Sequence, residues 1–297
     1  RHTRCSRDWS SDVCSSALPS VDFSTQSLSI HTTVKPVVEH AEVIVIAVPS
    51  AYLIDTLSVL TPEVLAGKKI LSAVKGILPE KNLLLNEYLQ QQFQFPASDY
   101  FTLMGPCHAE EIAAQKLSYL TFSGLKADTT EQIAACFSNS YVNTITNDDI
   151  MGVQYAAVLK NIYALGAGIA HGLDYGDNFL SVFIANCADE MAAFLQAVGI
   201  RHMEVGLHEG AVLVGRKKSP NYAASVYLGD LLVTCYSLYS RNRTFGTMIG
   251  KGYSVKAAQL ELSMVAEGYS ASRCIVQIRS EEHTSELQSR LHLVCRL

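Results

Sequence analysis

The chain has 297 residues, 48% of them hydrophobic, and a formal net charge of -5. That length gives room for two ordinary domains, each with its own core. The acidic balance excludes the basic surplus usual for a nucleic-acid binder, leaving only a local basic site for a small anion. No apolar run approaches the ~20 residues needed to cross a bilayer, and the most hydrophobic stretch, Val43 to Val48, is strand-sized. The polar N-terminus lacks the apolar segment of a signal peptide. Eight cysteines show neither a C-x-x-C pair nor zinc-ligand spacing; this is reduced, cytoplasmic usage, with Cys136, Cys187 and Cys274 read as packing residues.

The two ends differ in character from the rest. Residues 1–16 (RHTRCSRDWSSDVCSS) hold the single tryptophan, Trp9, and no helical or strand period; residues 280–297 are similar. Both resemble translated adapter sequence and are expected to be non-native tails, with no chemistry assigned to His283, His292 or Cys295. Natural disordered tails are the alternative.

From Val21 onward the pattern is globular. Ala41 to Val48 (AEVIVIAV) is a β-branched run ended by Pro49, and its continuous apolar character predicts a strand buried on both faces. A helical segment at Tyr52 to Leu60 follows. Next come a strand at Lys69 to Val74, a turn at Gly76 and a helix around Asn82 to Gln91. Phe101 to Met104 predicts a short strand broken by Gly105-Pro106, and His108 to Ala114 a helix. Tyr119 to Ser123 and Val142 to Thr146 predict strands on either side of a helix near Thr130 to Phe137. Such alternation implies a doubly wound parallel α/β sheet of Rossmann type. After Asp149 strand signals vanish. Ile150 to Ile169, Phe179 to Val198 and Lys256 to Val265 have helical spacing. The expected division is a partial dinucleotide-binding domain over 17–148 and an all-α substrate domain over 149–279.

A dinucleotide-binding domain opens on a strand and a G-x-G-x-x-G turn, and no such turn precedes Val43. Gly166, Gly168 and Gly172 imitate it, but they sit in a helical stretch with no preceding strand, so close helix packing or a helix end explains them better. Asp174, Asp177 and Asn178 do not have EF-hand spacing and are read as a turn and helix cap.

Several segments, in order, carry a resemblance: Val48-Pro49-Ser50, Ser72-Ala73-Val74-Lys75-Gly76, Gly105-Pro106-Cys107-His108-Ala109-Glu110, Ala157-Val158-Leu159-Lys160-Asn161, Gly172 to Asn178, Leu228-Gly229-Asp230-Leu231, Ser240-Arg241-Asn242-Arg243-Thr244-Phe245-Gly246, and Val265-Ala266-Glu267-Gly268. Together, from about Ala17 to Arg279, they resemble the bacterial NAD(P)-dependent glycerol-3-phosphate dehydrogenases. The resemblance implies hydride transfer between NAD or NADP and dihydroxyacetone phosphate, giving glycerol 3-phosphate for phospholipid synthesis. It makes Lys160 the catalytic residue. The apolar surroundings of Lys160 favour the neutral amine, against a lysine that snorkels to solvent.

The same resemblance places Lys75, Gly105, Cys107, Lys160, Asp230, Ser240, Arg241 and Asn242 at the substrate, and Lys75, Ala109, Arg241, Val265 and Glu267 at the cofactor. Arg241 and Asn242 would grip the phosphate, with Arg243 and Lys251 adding positive field. Asp230 would position Lys160 or a substrate hydroxyl, with helix capping as the alternative. Cys107 stands where the family usually has Ser or Thr, and a thiol is the weaker donor. The missing glycine turn leaves NAD against NADP open. It also leads to the expectation that the chain as written binds cofactor weakly and aggregates. A small-molecule substrate, no nucleic acid, no membrane and a homodimer complete the expectations. The alternatives are a dehydrogenase of another hydroxy acid or sugar acid, and a catalytically dead fragment serving as a helical association module.

Overall fold

The computed structural model describes residues 28–200, 224–262 and 265–281. The readings made on 1–16 and on 282–297 lie outside the described residues. The chain enters α1 (Val34–His40) and β1 (Val43–Ile46), then passes through a 3-10 turn (Ser50–Tyr52) into α2 (Leu53–Leu57) and α3 (Pro62–Leu65). Pro62 opens α3, where its missing N–H is not needed. There follow β2 (Lys69–Ser72), α4 (Leu85–Phe93), β3 (Tyr100–Met104), α5 (Ala109–Ala113), β4 (Ser118–Gly124), α6 (Ala127–Ala135) and β5 (Val142–Asn147).

The strands lie side by side in chain order, β1-β2-β3-β4-β5. β1, β2 and β3 are parallel, with Ile44 opposite Ile70 and Leu71 opposite Phe101. β4 is parallel to β5 but antiparallel to β3, with Thr102 opposite Ser123. The parallel sheet expected from the sequence is therefore corrected at one pairing. The link from β3 to β4 holds a helix of only five residues. At ~1.5 Å per residue it is too short to carry the chain back along the sheet.

Strand side chains alternate between two layers. Ile70 and Tyr100 join Leu53, Leu85 and Leu89 under α2 and α4. Leu71 and Phe101 join Phe122, Ile133 and Val142 under α6. β1 departs from expectation: Ile46 is buried, but Val43 and Val45 are 39% and 50% exposed, so only one of its faces is covered. Its partner among the described residues is β2 alone, and an apolar run does not by itself reveal an edge position. The cysteine reading holds for Cys187 and Cys274, which are buried; Cys136 is exposed at the end of α6.

The helical part begins with α7 (Ile150–Gly172) and α8 (Gly176–Ala197), joined by a turn in which Asp174 has φ +59°. Asp149 caps α7 by accepting from the Gly152 amide at 2.8 Å and also accepts from the Tyr227 hydroxyl. After a π-helical turn (Ala224–Gly229) come α9 (Asp230–Tyr236), α10 (Arg241–Gly250), α11 (Val255–Glu261) and α12 (Glu267–Glu281). α11 ends earlier than the helical spacing to Val265 predicts. α7 is apolar on nearly every side and is accordingly buried on nearly every side.

The helical glycines explain how α10 reaches α7. A Cβ on Gly168 would stand 2.1 Å from the Arg243 carbonyl oxygen, and one on Gly246 would stand 2.0 Å from that of Leu165. Gly172 meets Thr247 and Gly250 in the same way, while Gly166 faces the Phe183 ring. Backbone lies on backbone, which only glycine permits, and the first turn of α10 is thereby set beside the middle of α7. Gly168→Val is expected to cost about 1–3 kcal/mol through forced separation of the helices. Urea unfolding checks this; an unchanged midpoint would rule out so close a crossing.

Candidate active site

Lys160 lies in the middle of α7 and is 4% exposed, too deep to reach solvent along its own stem. Asp230, the first residue of α9, is 1% exposed and directs Oδ1 to the Lys160 ammonium at 2.5 Å, both side chains being buried. It makes no side-chain cap of its own helix, so pairing with Lys160, the role considered beside capping, is the one the geometry displays. Its second oxygen, Oδ2, is buried without a hydrogen-bond partner.

Burial is the largest influence on Lys160 and disfavours the ammonium. Asp230 opposes it, Lys75 reinforces it, and the amine is brought down to about 8. Asp230 is held below the usual carboxylate range: burial pushes up, but the Lys160 and Lys75 ammonium groups outweigh it. A buried ion pair contributes little net stability, because desolvation offsets its attraction. A buried lysine near neutrality, facing an acid with one idle oxygen, is therefore better explained by chemistry than by folding.

Lys75 follows β2 at its carboxyl end, where ligands of open α/β sheets bind. Its Nζ lies 3.8 Å from Cys107 Sγ, and Asn161 Nδ2 donates to its carbonyl at 2.9 Å, tying the loop to α7 one residue beyond Lys160. For Lys75, burial pulls down, while Cys107 and Asp230 outweigh it and keep the ammonium above its ordinary value. Gly105 has φ +115°, and a Cβ there would meet the Tyr119 carbonyl at 2.7 Å, so the turn after β3 requires glycine. Cys107 Sγ donates to the Gly105 carbonyl at 3.2 Å, so the thiol serves the turn itself. Ala109 opens α5 and is exposed.

Ser240 caps α10, accepting from the Arg243 amide at 3.3 Å. Asn242 is 8% exposed and accepts at Oδ1 from the Gly268 amide at 2.9 Å. Gly268 in turn packs on the Asn161 carbonyl, so Asn242 joins α10 to α12 and α7. Arg241 is exposed, as is Lys251. Glu267 spans to the sheet: Ser50 donates to Oε1 through its amide and to Oε2 through its hydroxyl, both at 2.9 Å. Val265 lines a cavity of about 290 Å³ with Tyr52, Phe245, Leu262, Ala266 and Tyr269.

The structure thus gathers Lys75, Gly105, Cys107, Lys160 and Asp230, and places Ser240 and Asn242 at the start of the helix packed against α7. Val265 and Glu267 lie on the side of Ser50. Arg241 and Ala109 stand at the surface, with no side-chain bond to this cluster.

His108 belongs to the cluster although its motif gave it no role. Its Nε2 is buried and has no hydrogen-bond partner, and its ring lies 6.1 Å from that of Tyr239. Burial, then the Lys160 and Lys75 ammonium groups, hold the imidazole below its ordinary value against the pull of Asp230 and Glu110. Ser50 and Asn161 were likewise quoted only as parts of motifs. Nothing in their local sequence announces contacts across 217 or 86 positions. The assembled groups can hold a proton near neutrality, present a second cation, and leave buried acceptors free for a ligand.

Known proteins match this chain along most of its length. Residues 11–130 match the family model for the NAD-dependent glycerol-3-phosphate dehydrogenase N-terminus, and residues 149–296 match that for its C-terminus. The chain is 32% identical over 267 residues to the glycerol-3-phosphate dehydrogenase [NAD(P)+] of Bacillus subtilis, covering 88% of this chain and 71% of that one. It is 31% identical over 264 residues to the Chlorobium phaeobacteroides enzyme of the same name, covering 89% and 74%. The fold is similar to the crystal structure of glycerol-3-phosphate dehydrogenase from Coxiella burnetii, with TM-score 0.74, 24% identity, and 88% and 75% of the chains covered. With sheet and helical part both matched and relatives above 30% identity, the chain belongs to the NAD-dependent glycerol-3-phosphate dehydrogenase family.

Proposed function

We propose that the chain interconverts dihydroxyacetone phosphate and glycerol 3-phosphate with NAD or NADP, Lys160 being the proton carrier at the oxygen on carbon 2. The observation that carries this is the buried Lys160–Asp230 pair, with Asp230 Oδ2 idle beside it. In oxidation the neutral Lys160 amine takes the hydroxyl proton; in reduction the ammonium returns it to the carbonyl oxygen. Asp230 holds the amine in place and sustains its charged form. Lys75 adds positive charge where oxyanion character develops. His108, kept neutral, offers Nε2 to a substrate hydroxyl. Ser240, Arg241 and Asn242 belong to the phosphate end, with Gly105 and Cys107 shaping the facing turn.

Hydride acceptance and donation at carbon 2 are the chemistry that a nicotinamide supplies when bound. The residues present fit such a group: the cavity is edged by Val265 and by Tyr52, in the 3-10 turn that follows β1, and about 300 Å³ is the lower end of ligand-site volumes. Lys75, Ala109, Arg241 and Val265 would hold the cofactor, and Glu267 would fix the Ser50 loop against it. The reading extends to a cytoplasmic enzyme feeding phospholipid synthesis and pairing as a homodimer. The name shared by the relatives supports the metabolic part of this reading, and the free thiols among the described residues support a reducing compartment.

Lys160→Ala is expected to lower kcat by about 10²–10⁴-fold, with a smaller change in KM for dihydroxyacetone phosphate; nicotinamide absorbance follows it, and undiminished turnover would remove Lys160 from the chemistry. Because the amine titrates at about 8, oxidation should rise with pH through that value as the base forms. Reduction should fall through it as the acid is lost. In Asp230→Asn both inflections should move to lower pH, since the partner that sustains the ammonium is gone.

Asp230→Ala leaves a buried charge unpaired, and chemical denaturation at pH 7 should show a loss of about 3–5 kcal/mol. The loss should shrink above pH 8, where Lys160 is neutral. A pH-independent loss would mean that Asp230 acts through packing alone.

A further inference from the structure

We infer that His108 is a proton relay: its imidazole takes at Nε2 the proton that each oxidation leaves on the sealed Lys160 amine, and releases a proton from Nδ1 to solvent. This rests on the reaction proposed above and supplies the step that must follow it. Once the alcohol has become a ketone, Lys160 has to lose its proton before it can act again.

The need for such a group comes from burial. Lys160 is 4% exposed and Asp230 1% exposed, so the pair that holds the proton is cut off from bulk water. The proton cannot rest on Asp230. Burial pushes that carboxylate up, but Lys160 and Lys75 outweigh it and hold it below the usual range. An outlet requires a base near the pair whose other side meets solvent, with at most one water between donor and acceptor.

His108 has that form. It is half-buried in the turn between β3 and α5. Nε2 is shut off from solvent and has no hydrogen-bond partner, so its lone pair is free to accept, whereas Nδ1 is not sealed in this way. The ring lies 6.1 Å from that of Tyr239, which is 54% exposed, so the imidazole borders a surface side chain just before α10.

The charges around the ring suit the task. Among the described residues, those that act on it are Lys160 of α7, Lys75 from the loop after β2, Asp230 of α9 and Glu110 of α5, and Lys160 acts most strongly. Burial, then the two lysines, hold the imidazole below its ordinary value, so it is neutral and ready to accept. Transfer from Lys160 is therefore uphill and loss to water is fast, which makes His108 a carrier and not a store. Only N–H bonds change: Lys160 Nζ loses a proton, Nε2 gains one, Nδ1 gives one to water or buffer, and the ring turns over to restore its tautomer.

The test follows oxidation of saturating glycerol 3-phosphate by the full chain with NAD or NADP in dilute buffer, with and without added imidazole. It compares wild type, His108→Ala and His108→Phe. The variants should lose far less in the first turnover than in the steady state, because Lys160 still takes the hydroxyl proton. Later turnovers should slow at least ~10-fold, leaving a burst of reduced nicotinamide, and the effect of deuterium oxide on them should grow. Imidazole should raise the steady state of His108→Ala at least ~3-fold, where the missing ring leaves room, and leave His108→Phe unchanged. A merely structural histidine is not replaced by free imidazole. Independently of turnover, the His108 ring signal, identified by its loss in His108→Phe, should titrate at higher pH in Lys160→Ala than in wild type by NMR.

Equal losses in first and later turnovers, or no rescue by imidazole, would overturn the relay. So would a ring titration untouched by Lys160→Ala. If that titration shifts but wild type reduces neither NAD nor NADP with glycerol 3-phosphate, the proposed reaction fails and the relay falls with it.

Discussion

An ammonium and a carboxylate sealed 2.5 Å apart between α7 and α9 are the constraint around which the helical part is arranged. Two charges cannot be taken out of water unless something holds them together and something else makes use of them. The first requirement is met by the fold. α7 is buried on nearly all sides, so Lys160 cannot swing to solvent, and α9 begins at Asp230. The second is met by the surroundings, since Lys75 reaches the pair from the sheet and His108 stands near it from the turn after β3. The pair therefore lies where sheet and helices meet, and each contributes groups.

The two halves share an apolar cluster, in which Ile77, Leu84 and Met104 of the sheet part pack among residues of α7, and specific polar contacts cross the same boundary. Asn161 holds the Lys75 loop and Glu267 holds Ser50 through both carboxylate oxygens, while within the helical part Asn242 holds Gly268. Each orients a loop that ends at the site, in the manner expected of residues that support reacting groups. The glycines of α7 and α10 act in the same sense by a different means. Removing side chains from the crossing lets α10 approach until Arg243 lies against Gly168, and this sets the distance between the cationic end of α10 and Lys160.

Two arginines in one tetrapeptide illustrate how far chemistry can be read from order alone. Ser240-Arg241-Asn242-Arg243 reads as a candidate anion site, because cations and donors are consecutive. It does not say which guanidinium faces inward. On a helix successive residues point about 100° apart, so Arg241 and Arg243 occupy different sides, and the packing of α10 on α7 decides between them. Arg243 is buried and Arg241 lies at the surface. The same holds for His108, which read as an ordinary residue of a turn until the fold set its ring beside two lysines.

The sequence by itself determined the alternation of strands and helices and the helical nature of the described elements after Asp149, and it singled out Lys160 and Asp230. Local periodicity and the ordered motifs are properties of neighbours along the chain. It also showed that Gly166, Gly168 and Gly172 were no phosphate turn, since no strand precedes them. What it could not supply were relations across space. The reversed pairing of β4 depended on how far a five-residue helix can carry the chain. The exposure of Val43 and Val45 depended on what lies beside β1, which an apolar run does not encode. The Glu267–Ser50 and Asn161–Lys75 contacts join residues far apart in order. The lowered affinity of Lys160 for its proton needed burial as well as a partner, and burial exists only once the helices have packed.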